Sequence, residues 1–206
     1  RYSLYSNTTA DNNTAVGFET LKDNTTGTVN TAMGRQALQN NTTADGNTAY
    51  GHNSLNTTTT GGCNTAVGGS ALFNNTSTVN TAVGHNTLQA NTSGNSNTAV
   101  GASALYNNTT ASDNTVVGRE AMYSTTTGNC NVAMGHDAGY SNTTGCQNVY
   151  IGFGAGKNAT TPSGNTFVGR LAGCNAGTGN SNTAIGISSG VDAVKNITGA
   201  DTHQLV

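Results

Sequence analysis

A five-residue string, Asn13-Thr14-Ala15-Val16-Gly17, returns in recognisable form ten more times along a chain of 206 residues. The returns begin at Asn30, Asn47, Asn64, Asn80, Asn97, Asn114, Asn131, Asn148, Asn165 and Asn182. Nine of the ten intervals are 17 residues, and one, Asn64 to Asn80, is 16. A period this strict settles the architecture before any single residue does. Seventeen residues are too few for a helical-hairpin repeat or a propeller blade, which need about 34 to 50. They suit one coil of a β-solenoid, each coil stacking on the next at the inter-strand spacing of about 4.8 Å. The expected fold is therefore all-β, a parallel β-solenoid (β-roll) of about eleven 17-residue coils over residues 13–194. Such a rod is roughly 53 Å long. A long amphipathic helix is the competitor. It fails because every coil carries Gly at its fifth position and Asn-Thr clusters near its end, both disfavoured in helix interiors.

Stacking turns each coil position into a column. The Asn column is unbroken, and a buried amide there donates to one neighbouring coil and accepts from the other. The Gly column, from Gly17 and Gly34 to Gly169 and Gly186, is also unbroken and reads as a corner needing φ > 0 or close backbone approach. Between them run an Ala-like column (Ala15, Ala32, Ala49, Ala66, Ala82, Ala99, Val116, Ala133, Tyr150, Phe167, Ala184) and a Val-like one. The latter reads Val16, Met33, Tyr50, Val67, Val83, Val100, Val117, Met134, Ile151, Val168, Ile185. Adjacent strand residues point to opposite faces. Both faces are thus apolar, the mark of a strand covered on both sides. One face fills the coil; the other calls for a neighbour. Lateral self-association follows as an expectation, as a trimer or a filament.

A column of Leu (Leu21, Leu38, Leu55, Leu72, Leu88, Leu105, then Met122) changes to Gly139, Gly156, Gly173 and Gly190 in the last four coils. Tyr150 and Phe167 are candidates to refill that space. Residues 1–12 read as a partial N-terminal coil, because Leu4 and Asn7-Thr8-Thr9 sit 17 before Leu21 and Asn24-Thr25-Thr26. The one-residue deletion is expected in the Asn/Thr-rich turn of the coil from Asn64. From about Lys195 the pattern dissolves, leaving 195–206 as a cap, a linker or a disordered tail. Charged residues are 8% and the net charge is −2, which argues against nucleic acid as a primary partner. No apolar run is long enough for a membrane span.

Many coil ends match Asn-x-Ser/Thr, and the candidate glycosylation acceptors on exposed turns are Asn7, Asn24, Asn41, Asn56, Asn75, Asn91, Asn108, Asn142, Asn158 and Asn196. The alternative is that Asn and Thr are simply good turn residues. Cys130 and Cys146 occupy nearly equivalent corners of consecutive coils and form a candidate disulfide. Cys63 and Cys174 have no partner. Tyr106, Tyr123 and Tyr140 recur at 17-residue spacing, as a stacked ladder or as a sugar-binding platform. Arg35 and Arg119, with His52, His85, His136 and Arg170, follow the Gly column, as a solvated polar edge or a basic stripe for acidic glycans. No metal site is expected, since His52 and His85 stand two coils apart, about 10 Å. No cofactor is expected either. The nine acidic residues are scattered and no catalytic grouping recurs, so an enzyme is not expected.

The Asn-Thr-Ala-Val-Gly columns, over roughly residues 13–190, resemble the YadA-like head repeats of trimeric autotransporter adhesins, with their Ser-Val-Ala-Ile-Gly core. They are similar also to repeats in phage and algal-virus tail fibres. Those heads have a shorter period, and their coiled-coil stalk and membrane anchor have no counterpart in this stretch. Residues facing a trimer axis are therefore not carried over. The resemblance implies a parallel β-roll, trimeric assembly and attachment to a surface or host. The functional expectation is a non-enzymatic fibre or adhesin segment located extracellularly, at a cell surface or on a virion, whose partners are surface glycans or a host receptor. The alternatives are a structural filament polymerising end to end and, less favoured, an ice-binding solenoid.

Overall fold

The computed structural model describes residues 1–190 together with Gln204 and Leu205. Eleven short strands, β1 (Thr14–Val16) to β11 (Asn182–Ile185), lie in chain order in one parallel sheet. Of the 195–206 tail, only β12 (Gln204–Leu205) falls within the described residues, and it pairs in parallel with β11. Register is like upon like: Thr14 lies over Thr31, Ala15 over Ala32, Val16 over Met33, and Met33 over Tyr50. No described residue is helical. The chain is a β-solenoid.

Only three or four residues per coil are strand; the rest is turn, yet its backbone is also paired between coils. Leu21 N–H donates to the Ala37 carbonyl at 3.1 Å, Thr25 to Thr42 at 3.0 Å and Gln36 back to Phe18 at 2.9 Å. Residues 1–12 join the same ladder, with Leu4 N–H donating to Thr20 O and Ser6 N–H to Lys22 O.

The Asn column forms the spine. From Asn13 to Asn165, the side-chain Oδ1 of each Asn accepts the backbone N–H of the Asn one coil later, as from Asn30 to Asn13 (2.9 Å), Asn131 to Asn114 (2.9 Å) and Asn182 to Asn165 (2.8 Å). Its amide donates to a carbonyl 14 residues on, as from Asn97 to Ala111 O at 2.8 Å. Asn30 to Asn165 are fully or nearly fully buried. Both ends of the amide are thus satisfied without water, which removes a desolvation cost of about 1–3 kcal/mol per group.

A second ladder, not expected from the sequence, runs through the turn. Asn41 donates to Asn24 Oδ1, Asn91 to Asn75 Oδ1 and Asn108 to Asn91 Oδ1, each at 2.7 Å. It breaks at Thr58 and Thr125, whose hydroxyls donate instead to backbone carbonyls. In consequence Asn41 Oδ1 and Asn108 Oδ1, each facing a Thr in the coil above, are buried without a donor. The 16-residue interval is absorbed in this turn, where Asn75 bonds the carbonyl two residues on (Ser77, 2.9 Å) instead of three.

The Gly17 column has φ of 124–143°, and a Cβ on Gly17 would meet the Gly34 carbonyl oxygen at 2.5 Å. Positive φ also occurs where the sequence carries side chains: Leu21, Leu38, Leu55, Leu72, Leu88, Leu105 and Met122 lie at φ 48–52°. An L-residue there costs about 1–2 kcal/mol. Burying Leu completely returns about 1.5–3 kcal/mol, so the position is tolerated with little to spare. Gly139, Gly156 and Gly173 (φ 57–62°) escape the strain but vacate volume. Tyr150 fills it for two coils at once, its ring 2.5 Å from where a Cβ would stand on either Gly139 or Gly156. Phe167 does so for Gly173. One aromatic ring between two coils explains why the coil of Gly139 needs no large residue of its own.

Two stability changes follow. Thr125→Asn supplies the missing donor to Asn108 Oδ1 and is expected to raise stability by about 1 kcal/mol in denaturant titration. Tyr150 is fully buried with no partner for its hydroxyl, and burial pushes its ionisation well above the ordinary tyrosine range. Above about pH 10 the unfolded chain gains stability by ionising this group while the folded chain cannot, so stability falls as pH rises. Tyr150→Phe is expected to gain about 1 kcal/mol at neutral pH and to flatten that alkaline loss, read from unfolding midpoints between pH 8 and roughly 11.

Candidate interaction surface

Each strand reads outward-inward-outward. The Ala-like column is buried from Ala32 to Ala184, whereas the Thr that precedes it and the Val-like residue that follows it face out. Val16 is 52% exposed, Tyr50 55% and Ile185 59%. The Val-like file is therefore an apolar stripe along the whole stack, exposed at Val16, Met33, Tyr50, Val117, Met134 and Ile185 and partly buried at the others, beside a file mostly of Thr. Scattered apolar side chains on a monomer surface need no explanation, but a contiguous stripe does. Phe18, Phe153 and Ile187, exposed in the next column but one, widen the stripe in places.

Tyr106, Tyr123 and Tyr140 stack face to face, with centroids 5.1 and 5.3 Å apart and rings within 3° and 6° of parallel. Lys157 Nζ lies 5.8 Å from the Tyr140 ring centroid. The stack covers both faces of Tyr123, so the ladder has the geometry of a stacked column along the rod. Arg35 and Arg119 are both exposed; Arg119 is held by Glu120 at 2.9 Å. They stand five coils apart, about 24 Å, and do not converge with each other.

The turn sequons are mostly not on the surface. Asn24, Asn41, Asn75, Asn91, Asn108 and Asn142 are completely buried, and Asn56 is 8% exposed. Their amides belong to the second ladder or to turn carbonyls, because the turn folds its Asn inward, and the Asn56 amide donates to the Gln36 carbonyl of the preceding coil. Asn7 and Asn158 are exposed, and Asn196 lies outside the described residues. The Cys130–Cys146 pair also fails: both thiols are free. Cys146 stacks over Asn129, whose N–H points to its sulfur at 3.3 Å, while Cys130 stands one column away. A one-position offset puts the two on neighbouring columns, not on one.

One grouping escapes a column-by-column reading. Glu120, His136 and Asp137 each bring a ligand atom within 4.8 Å of the others, across two columns and two coils. The signal was a His-Asp dipeptide with Glu 17 residues before the Asp. Asp137 is 6% exposed; its Oδ2 is bound by Lys157 at 2.8 Å, which raises the lysine's ionisation above its usual range.

No protein-family model, curated protein or solved structure matches the chain. Among the described residues no helix is long and apolar enough to cross a membrane.

A glycan on a fully buried amide would displace the ladder bond and separate the coils. Expressed in a glycosylating host, the folded protein is expected to carry glycans at Asn7 and Asn158 and at none of the seven buried acceptors, as mapped by glycopeptide mass spectrometry. Occupancy at Asn91 or Asn108 in folded protein contradicts this.

Proposed function

We propose that the chain is a non-enzymatic segment of an extracellular fibre or adhesin, set on a cell or virion surface, whose rods associate side by side through the outward strand face, most simply as a trimer. The observation that carries this is the Val-like file, which puts one apolar residue outward on each of eleven successive coils. The parallel sheet is covered on its inner face by the coil's own Leu and Ala, and parallel strands are ordinarily covered on both. A second copy matches the stripe in length and spacing by construction, since coil repeats coil.

The non-enzymatic reading rests on the same repetition. Columns multiply one surface along a line, which suits avid contact with repeated groups such as surface glycans or a host receptor. A catalytic pocket needs unlike groups converging at one point. The resemblance of the Asn-Thr-Ala-Val-Gly core to adhesin head repeats points the same way.

Sedimentation velocity on the purified chain, with electron microscopy of the same sample, tests the assembly. Discrete lateral oligomers are expected; long single-rod polymers would favour end-to-end assembly instead. Val83→Lys with Val100→Lys places charges on the stripe without touching the buried columns. It is expected to shift the sample to monomer with an unchanged circular-dichroism spectrum. A wild-type chain that stays monomeric at high concentration would overturn the proposal.

A further inference from the structure

We propose that Glu120, His136 and Asp137 form a binding site for a divalent first-row transition-metal ion, joining the coil that begins at Asn114 to the one that begins at Asn131. Glu120 and Asp137 occupy the same column in consecutive coils, so like charges stack at about 4.8 Å, an arrangement that repels unless a cation lies close. Two side-chain cations already approach, and each takes a single carboxylate oxygen. Lys157 Nζ sits 2.8 Å from Asp137 Oδ2, and Arg119 donates to Glu120 Oε1 from Nε at 3.2 Å and from a terminal nitrogen at 2.9 Å.

On Asp137 the remaining oxygen faces His136. Asp137 Oδ1 and His136 Nδ1 are both buried and neither has a hydrogen-bond partner. They lie 3.5 Å apart, beyond a well-made hydrogen bond for this pair. Two N/O ligands at about 2.0–2.2 Å from a tetrahedral ion are separated by roughly 3.3–3.5 Å. The gap therefore fits an ion better than a proton. The imidazole is fixed for this role by Phe153, stacked on it at 5.3 Å and within 7° of parallel, with the Arg170 guanidinium 5.9 Å from the Phe153 ring centroid. Carboxylates whose second oxygen is held by a neighbouring donor are the usual outer-shell arrangement around a metal. One imidazole and two carboxylates suit an ion such as Zn²⁺ rather than Ca²⁺, which takes six to eight oxygen ligands.

Titration of the full chain with Co²⁺, followed by visible absorption and by Zn²⁺ competition in calorimetry, tests the site. One equivalent is expected to bind, with d–d bands and no thiolate charge-transfer band in the near ultraviolet, so the four cysteines are separated from the proposed ligands spectroscopically. His136→Gln and, separately, the near-isosteric Glu120→Gln are each expected to weaken binding about tenfold or more while leaving the circular-dichroism spectrum unchanged. No saturable binding up to about 1 mM Zn²⁺, equivalent to a Kd weaker than roughly −4 kcal/mol, would overturn the proposal. So would binding that both substitutions leave intact, or a spectrum dominated by thiolate bands.

Discussion

The structure depends on an amide that needs two neighbours. Each Asn of the spine has an oxygen to fill and a nitrogen to satisfy, and neither reaches water. The coil after supplies the N–H, and the carbonyl 14 residues on accepts the amide. Left alone, one coil would bury polar groups at a cost of about 1–3 kcal/mol each. Coils are therefore stable only in company, and stability accumulates from nearest-neighbour interfaces as in other one-dimensional arrays. The apolar contribution is thin by comparison. A coil contributes one Leu or aromatic and a few Ala to the interior, and Leu gives back part of its burial energy as left-handed strain.

That economy explains where the chain departs from its own repeat. The change from Leu to Gly after Met122 exchanges strain for lost volume, and Tyr150 and Phe167 restore the volume from the opposite wall. Stacked side chains elsewhere do local work of the same kind: the three tyrosines, the His136–Phe153 pair and the Glu120–Asp137 column lie within a few coils of this change. Repetition places the outward stripe on every coil and makes it the surface with the greatest reach. It is the seam at which side-by-side assembly is proposed.

Much of this was legible from residue spacing. The Gly17 column had to be a special corner, and its φ values and close carbonyl contacts agree. The exchange of Leu for Gly within one column was also a signal of positive φ, since Gly is the residue that accepts it without strain. The sequons misled because Asn-Thr-Thr has the composition of an exposed turn; only the backbone path shows that the Asn points in and the Thr residues out. Cys130 and Cys146 misled because one position of offset is a small distance along the chain but a change of column, and so of direction, in a coil. Glu120, His136 and Asp137 come together only when neighbouring columns are superposed.

The sequence alone determined the period, the parallel register and the identity of each column, because the geometry of stacking leaves a 17-residue repeat with unbroken Asn and Gly little else to form. It also implied that one face of the Ala-Val strand lies inward. The tertiary structure decided which face that is: Ala within, Val-like residues out. Which side chains meet across a corner depends on backbone turns near φ +50° that spacing does not encode, and so the second Asn ladder, the free thiols and the Glu-His-Asp cluster appear only once the coil is closed.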